Sequence, residues 1–266
     1  MDTFKNKTAL VTGASSGIGK EIAKKLAQEG CKLILVARSE AALNKLASEI
    51  NTQYGTTTHV FIADLSKPDC GARLFEQLNA SNLHVDILVN NAGFGTYGPF
   101  ETISAQTEQD EIAVNISALV QLTHTFIPGM LNKGSGSVLN IASTAAFQPV
   151  PFLAVYAATK AFVLSFSEAL WGEYQGRGIH IAALCPPAVA TGFIDKLNDD
   201  SVKNTSVFSK TISAEHVALE AIKALRSAKP THIIGFKNWL LANSTRLAPR
   251  SLVAKAGADA LRPHGH

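Results

Sequence analysis

Residues 8–30 read TALVTGASSGIGKEIAKKLAQEG, and this stretch decides the fold. Its first four residues, 8–11, predict a buried strand. A turn holding Gly13, Gly17 and Gly19 follows, and over 17–29 the residues Ile22, Ala23 and Leu26 recur on one helical face. Gly30 then stops the helix. A strand that passes through such a turn into a helix exposes backbone N–H groups at the helix N-terminus, where the partial positive charge favours an anion. The glycine spacing is GxxxGxG, not the GxGxxG of the general dinucleotide fingerprint. Gly13, Ser15, Ser16, Gly17, Ile18 and Gly19 are therefore candidates to cradle a pyrophosphate. The glycines stand where a side chain would block the ligand or the helix–strand contact.

Outward from this unit the alternation repeats. Strands are predicted at Lys32–Ala37, Thr58–Ile62, 86–89, 137–141, 179–184 and 231–234. Helices are predicted at 40–50 (capped by Ser39), 68–78, 104–132 (bent or broken at Pro128), 154–174 and 214–227. After Pro186-Pro187 the chain loosens into a polar stretch to about residue 213. Near-continuous apolar strands between helices imply an α/β fold. It is a doubly wound parallel sheet of about seven strands, helices on both faces, in a single domain. Residues 1–235 are expected to form that domain. Residues 236–266 form a C-terminal arm, in the same domain or in an oligomer contact.

A chain of 266 residues with 46% apolar and 17% charged residues can bury a large core and is neither disordered nor a coiled coil. A net charge of +3, evenly scattered, gives no reason to expect nucleic acid. Cys31, Cys70 and Cys185 are odd in number and widely spaced, and neither CxxC nor HExxH occurs. No disulfide framework and no metal site are expected. The uncharged segments 112–131 and 134–159 are laced with Asn, Ser, Thr, Pro and Gly, which suits a protein interior better than a bilayer. No signal-peptide pattern opens the chain, so a soluble cytoplasmic protein with no membrane partner is expected. FKNWLL at 236–241 and the stretch 247–254 suit subunit packing first, and an interfacial membrane contact second.

At the end of the second strand stands Ala37-Arg38-Ser39, with no acid before Glu40. An acid there would bond a ribose 2′-OH, whereas the Arg38 fork suits a 2′-phosphate, with Ser39 and Ser15 as further donors. NADP is favoured over NAD. Tyr156 and Lys160 lie four residues apart in a predicted helix and so share a face. A cation beside a phenol is expected to lower its pKa from about 10, making Tyr156 a general acid or base. Ser143 follows strand five, Asn90, Asn91 and Gly93 follow strand four, and Pro186 follows strand six. All are expected at the sheet edge where ligand crevices open. Cys185 reads as a small buried hydrophobe.

TGASSGIG, Asp64, NNAG, Asn115, Ser143, YAATK and the proline-rich turn after strand six occur in order over residues 7–192. Together they resemble the short-chain dehydrogenase/reductase family in its compact, Rossmann-like single-domain branch. The resemblance implies an NADP-dependent oxidoreductase. Tyr156 would protonate a substrate carbonyl as the nicotinamide delivers hydride, and Ser143 would bond the carbonyl oxygen. Lys160 would bind the nicotinamide ribose, and Asn115 would hold a relay water. Asp64 would contact adenine, Asn91 and Gly93 the adenosine ribose, and Leu65, Ala92, Pro186, Val189 and Thr191 would complete the cofactor set. Pro187 stands where the family commonly has glycine, so the loop near the nicotinamide is shaped differently. A homodimer or homotetramer is implied.

Phe94, Tyr97, Ala145, Phe147, Val150, Pro151, Phe152, Leu153 and Phe193 are expected to border the crevice. No Arg or Lys lies between Ser143 and Tyr156. The substrate expected is an apolar ketone or aldehyde, steroid-like, fatty-chain or aromatic. A 3-oxoacyl-carrier-protein reductase, which would want a basic patch, and a catalytically silent NADP-binding sensor are the alternatives.

Overall fold

A computed structural model describes residues 4–195, 197, 205, 208, 210–245 and 247–262. The chain runs β1 (Thr8–Thr12), α1 (Gly17–Gln28), β2 (Lys32–Ala37), α2 (Glu40–Tyr54), β3 (Thr58–Ile62), α3 (Cys70–Ala80) and β4 (Ile87–Asn90). It continues as α4 (Ala105–Ile112), a π-helical turn (Ala113–Ala118), α5 (Leu119–Lys133), β5 (Gly136–Ile141), α6 (Ala154–Glu173) and β6 (Ile179–Cys185). Then come α7 (Gly192–Asp195), α8 (Ala214–Arg226), β7 (Thr231–Ile233), α9 (Phe236–Ser244) and α10 (Arg250–Leu261). Single 3₁₀ turns occupy Phe100–Thr102 and Thr144–Phe147.

All seven strands are parallel, in the order β3-β2-β1-β4-β5-β6-β7. The pleat distributes the apolar strand residues between two cores. Ala9 and Val11 of β1, with Leu33 and Leu35 of β2, pack against Ile22, Leu26, Leu43 and Val217 of α1, α2 and α8. Leu10, Ile34 and Val36 point the other way, against Leu74, Leu78, Leu122 and Phe126 of α3 and α5. Full burial of each such Leu or Ile is worth about 1.5–3 kcal/mol, which is why these strands read as unbroken apolar runs. Chain order reverses between β1 and β4, and the crevice opens there, beyond the strands' C-terminal ends.

Several boundaries differ from those expected. Helix α2 runs four residues past 50 because Asn51–Gln53 are exposed and carry no periodic signal; Gly55, at φ 63°, ends it. Helix α3 starts at Cys70, after a left-handed Asp69. Pro128 does not break the helix: α5 continues through it. Pro128 and His124 are both exposed, so the one carbonyl it leaves unpaired can face water, while Phe126, Ile127 and Met130 anchor the helix in the core. Part of the stretch expected to be irregular, and the tail after residue 262, lie outside the described residues. Among the described residues, no helix is long and apolar enough to cross a membrane.

Candidate active site

The glycine turn is fixed from below. Thr12 Oγ1 donates to the Val89 carbonyl and accepts from the N–H groups of Asn91 and Ala92, both at 3.0 Å. Asn91 Nδ2 donates back to the Thr12 carbonyl at 2.9 Å. Gly13 and Gly17 sit at φ 63° and 55°, a region side chains avoid. A Cβ on Gly13 would lie 2.9 Å from Ala92 Cα, and one on Gly19 would lie 2.4 Å from Asn91 Nδ2. Ser16, the N-cap of α1, is extended at φ −161° and gives the helix no side-chain cap. The first N–H groups of α1 are left to bind something else.

They border a cavity of 1090 Å³. One end is lined by Gly13, Ser15, Ser16, Gly17, Ile18, Arg38, Ser39, Asp64, Leu65, Asn91, Ala92 and Gly93. The other end is lined by Ser143, Tyr156, Lys160, Pro186, Val189 and Thr191. Two expected site residues are absent from the wall. Gly19 lies behind the turn, where it lets α1 approach the strand. Asn115 is buried beneath the floor. Asn90, expected at the same edge, also turns inward, donating to Thr123 Oγ1 and Asn140 Oδ1. Slight burial works against ionisation of Asp64. Two bonds from Ser66, with the charges of Lys67 and Arg38, nonetheless hold its carboxyl below the usual range.

At the far end, Ser143 follows β5, caps the next 3₁₀ turn through Ala145 N–H, and lies near enough to the Tyr156 phenol to favour its ionised form. Lys160 donates to the Ile141 carbonyl at 2.9 Å, with Nζ 5.7 Å from the Tyr156 ring centroid. The π turn directs Asn115 toward α6 and the loop after β4. Its amide donates to Thr159 Oγ1 and the Phe94 carbonyl, and its oxygen accepts from Phe94 N–H. Gly93 is required here, since a Cβ would lie 2.9 Å from Asn115 Oδ1 and 3.5 Å from Lys160 Nζ.

The acidity expected of Tyr156 is not found. Burial pushes its phenol up to about 12, against Ser143, and the Glu111 charge pushes the same way. Burial likewise pulls the Lys160 ammonium down to about 8, with Glu111 opposing. Burial penalises the charged form of each group, raising the phenol and lowering the ammonium. Glu111 was not singled out in the sequence, although it is the last charge before the uncharged segment and lies four residues before Asn115. It is fully buried on α4. One oxygen accepts from Thr96 Oγ1 at 3.0 Å and the other has no partner. Burial raises its pKa to about 7, against Thr96 and Lys160, with Glu108 adding to the rise. Burial also raises the Cys185 thiol, in keeping with its reading as a small apolar side chain.

Of the expected apolar wall, Phe94, Ala145, Phe147, Val150, Leu153 and Phe193 line the cavity. Tyr97, Pro151 and Phe152 do not. The Tyr97 hydroxyl donates to the Leu261 carbonyl at 2.7 Å, and its ring lies 6.5 Å from that of Phe152, behind the wall. The fold adds Phe208, Lys210, Asn238, Leu241, Ala242 and Leu261, from segments too distant in sequence to be read together. Among the described residues no cluster of three or more His, Cys, Asp and Glu could hold a metal ion.

The short chain dehydrogenase family model matches residues 7–202. The chain is 39% identical to the very-long-chain 3-oxoacyl-CoA reductase of Anas platyrhynchos, over 69% of this chain and 60% of that protein. It is 34% identical to 17-beta-hydroxysteroid dehydrogenase type 3 of Mus musculus, over 85% of this chain and 77% of that one. A solved short-chain dehydrogenase from Sphingobium yanoikuyae, in complex with NADPH, matches with a TM-score of 0.80 at 29% identity, over 91% and 94% of the two chains. The chain spans about three fifths of the length of the very-long-chain reductases it matches.

Proposed function

The chain belongs to the short-chain dehydrogenase family, and from that premise we propose that it reduces an apolar ketone or aldehyde to the alcohol, or runs the reverse oxidation, with NADP as cofactor. One observation carries the reading. A single cavity joins the uncapped N-terminus of α1 and Arg38 to the cluster of Ser143, Tyr156 and Lys160. The donor set fits the cofactor: N–H groups for a pyrophosphate and a guanidinium for a 2′-phosphate. Asp64, Leu65, Asn91, Ala92 and Gly93 would hold the adenosine half, and Lys160, Pro186, Val189 and Thr191 the nicotinamide half. The bound cofactor supplies or accepts a hydride at the carbonyl carbon.

Tyr156 is the proton donor. With its phenol near 12 it is neutral at working pH and has a proton to give. Ser143, beside that phenol, is placed to bond the substrate's carbonyl oxygen. Lys160, on α6 with Tyr156, would return the proton. Asn115 acts at one remove, by fixing the Phe94 backbone and Thr159. Phe94, Phe147, Val150, Leu153 and Phe193 exclude water and select an apolar substrate. A 3-oxoacyl thioester is the second reading, favoured by Lys210 on the cavity wall, which offers a cation to an anionic carrier. The silent-sensor alternative is disfavoured by the convergence of Ser143, Tyr156 and Lys160. We further place the protein in the cytoplasm, given its three free cysteines, as a homodimer or homotetramer whose arm packs on the main domain.

The test is NADPH consumption against apolar ketones, aldehydes and 3-oxoacyl-CoA thioesters, with NADH and Tyr156→Phe run in parallel. Turnover that requires NADPH and falls 10²–10⁴-fold in the variant, with cofactor affinity retained, is the expected result. Full turnover by Tyr156→Phe would overturn the assignment.

A further inference from the structure

The C-terminal arm differs from the rest of the chain in charge and surface. Residues 236–266 hold five basic side chains and one acidic one, a net charge of +4, so the preceding 235 residues together carry −1. Lys237, Arg250 and Lys255 are exposed, and among the described residues no acid pairs with them. The same arm carries six of the eleven large apolar side chains exposed among the described residues. On α9, Phe236, Trp239 and Leu240 recur at i, i+3 and i+4, which puts them on one face, and the rings of Phe236 and Trp239 stack at 5.9 Å. Leu247, at 90%, and Leu252 on α10 are exposed as well.

The other side of α9 borders the cavity. Leu241 is more than half exposed and also lines the cavity wall, as does Asn238. Thr245 Oγ1 donates to the Phe147 carbonyl, pinning the end of α9 to the turn after Ser143. A lone exposed leucine needs no explanation, but a run of Phe, Trp and Leu beside cations that no acid pairs with among the described residues does.

We propose that the exposed apolar face of α9, with the basic residues of the arm, forms a docking face for an anionic lipid bilayer. Trp and Phe suit the headgroup boundary, and basic residues beside them meet anionic lipid. A second copy of the chain is the poorer occupant. A two-fold contact through this face would set +4 against +4, with no acidic residue but Asp259 to offset it. The docking does not rest on the carbonyl-reductase reading.

The experiment is co-sedimentation of the full chain with vesicles of phosphatidylcholine alone and of phosphatidylcholine containing about one third phosphatidylserine. Binding to the second at near-physiological salt is expected, with Trp239 quenched by brominated acyl chains. Trp171, bonded to the Ala228 carbonyl, is expected to stay unquenched. Lys237→Glu with Lys255→Glu, and separately Phe236→Ser with Leu240→Ser, should each weaken binding at least tenfold while leaving the melting temperature unchanged. No sedimentation with phosphatidylserine vesicles overturns the proposal. So does a solution dimer that Leu240→Ser converts to monomer, since the face is then a subunit contact. Vesicle binding is read without turnover, so its failure and the failure of the enzymatic reading are separate results.

Discussion

At the α1 end of the cavity the chain presents backbone; at the α9 end it presents side chains. The first end is a turn clamped by Thr12 and Asn91, with left-handed glycines and an uncapped helix N-terminus. Its chemistry needs no titrating group, because helix N–H groups carry their partial charge at every pH. The second end gathers Glu111, Ser143, Tyr156 and Lys160 from three elements, with Phe193, Leu241 and Leu261 from three more. Its chemistry depends on buried ionisable groups whose pKa values burial has moved. The first end should therefore be indifferent to pH, and the second sensitive to it.

Glu111 gives the larger test of that contrast. Its carboxyl is held near 7 in the fold, above its ordinary 4.5, so the folded state keeps a proton that the unfolded chain has already released. The stability associated with this group is full below about pH 4.5 and falls as pH rises toward 7. Glu111→Gln, neutral throughout, should remove that slope. Denaturant unfolding at pH 5 and pH 8 should show the parent losing up to about 3 kcal/mol more than the variant between the two. Parallel slopes would mean that Glu111 ionises freely. Gly19→Ala tests the other end. The added methyl would meet Asn91 Nδ2 at 2.4 Å and the Gly13 carbonyl oxygen at 2.5 Å. Overpacking of this kind costs about 1–3 kcal/mol at any pH, and NADPH affinity should fall with it. Fluorescence titration of NADPH at two pH values would check both parts, and a pH-dependent loss would break the contrast.

The same contrast explains what the sequence discloses. Strands such as Lys32–Ala37 are legible because they are buried on both faces, and the turn at Gly13–Gly19 because its requirements are local: a strand before, a helix after, glycines between. Tyr156 and Lys160 are legible because four residues on one helix settle their proximity. Asn115 was placed as a site residue, but its orientation needed a π turn that no local pattern announces. Tyr97 and Phe152 fall in the expected wall and stand behind it, because Leu261 claims the Tyr97 hydroxyl from 164 residues away. Lys210, Asn238 and Leu241 were beyond reach for the same reason: tertiary packing, not periodicity, brings them to the cavity. The sequence shows the cation beside Tyr156 but not the burial that raises the phenol's pKa.

Arg38 offers the smallest effect and the finest resolution, because at the backbone-built end it acts through a charged side chain. It is exposed at the end of β2, lines the cavity, and acts on the Asp64 charge nearby. A guanidinium that bonds a 2′-phosphate should contribute a charge-assisted hydrogen bond, weakened by exposure to solvent. Arg38→Ala should accordingly raise KM for NADPH about 10–30-fold, leave KM for NADH within about twofold, and leave kcat unchanged, since the group lies far from Tyr156. Steady-state kinetics with both cofactors would check this, and raising the ionic strength should shrink the parent's preference in the same direction. If NADPH and NADH lose affinity equally, Arg38 supports the turn instead of reading the phosphate. The α1 end would then select its cofactor by backbone alone.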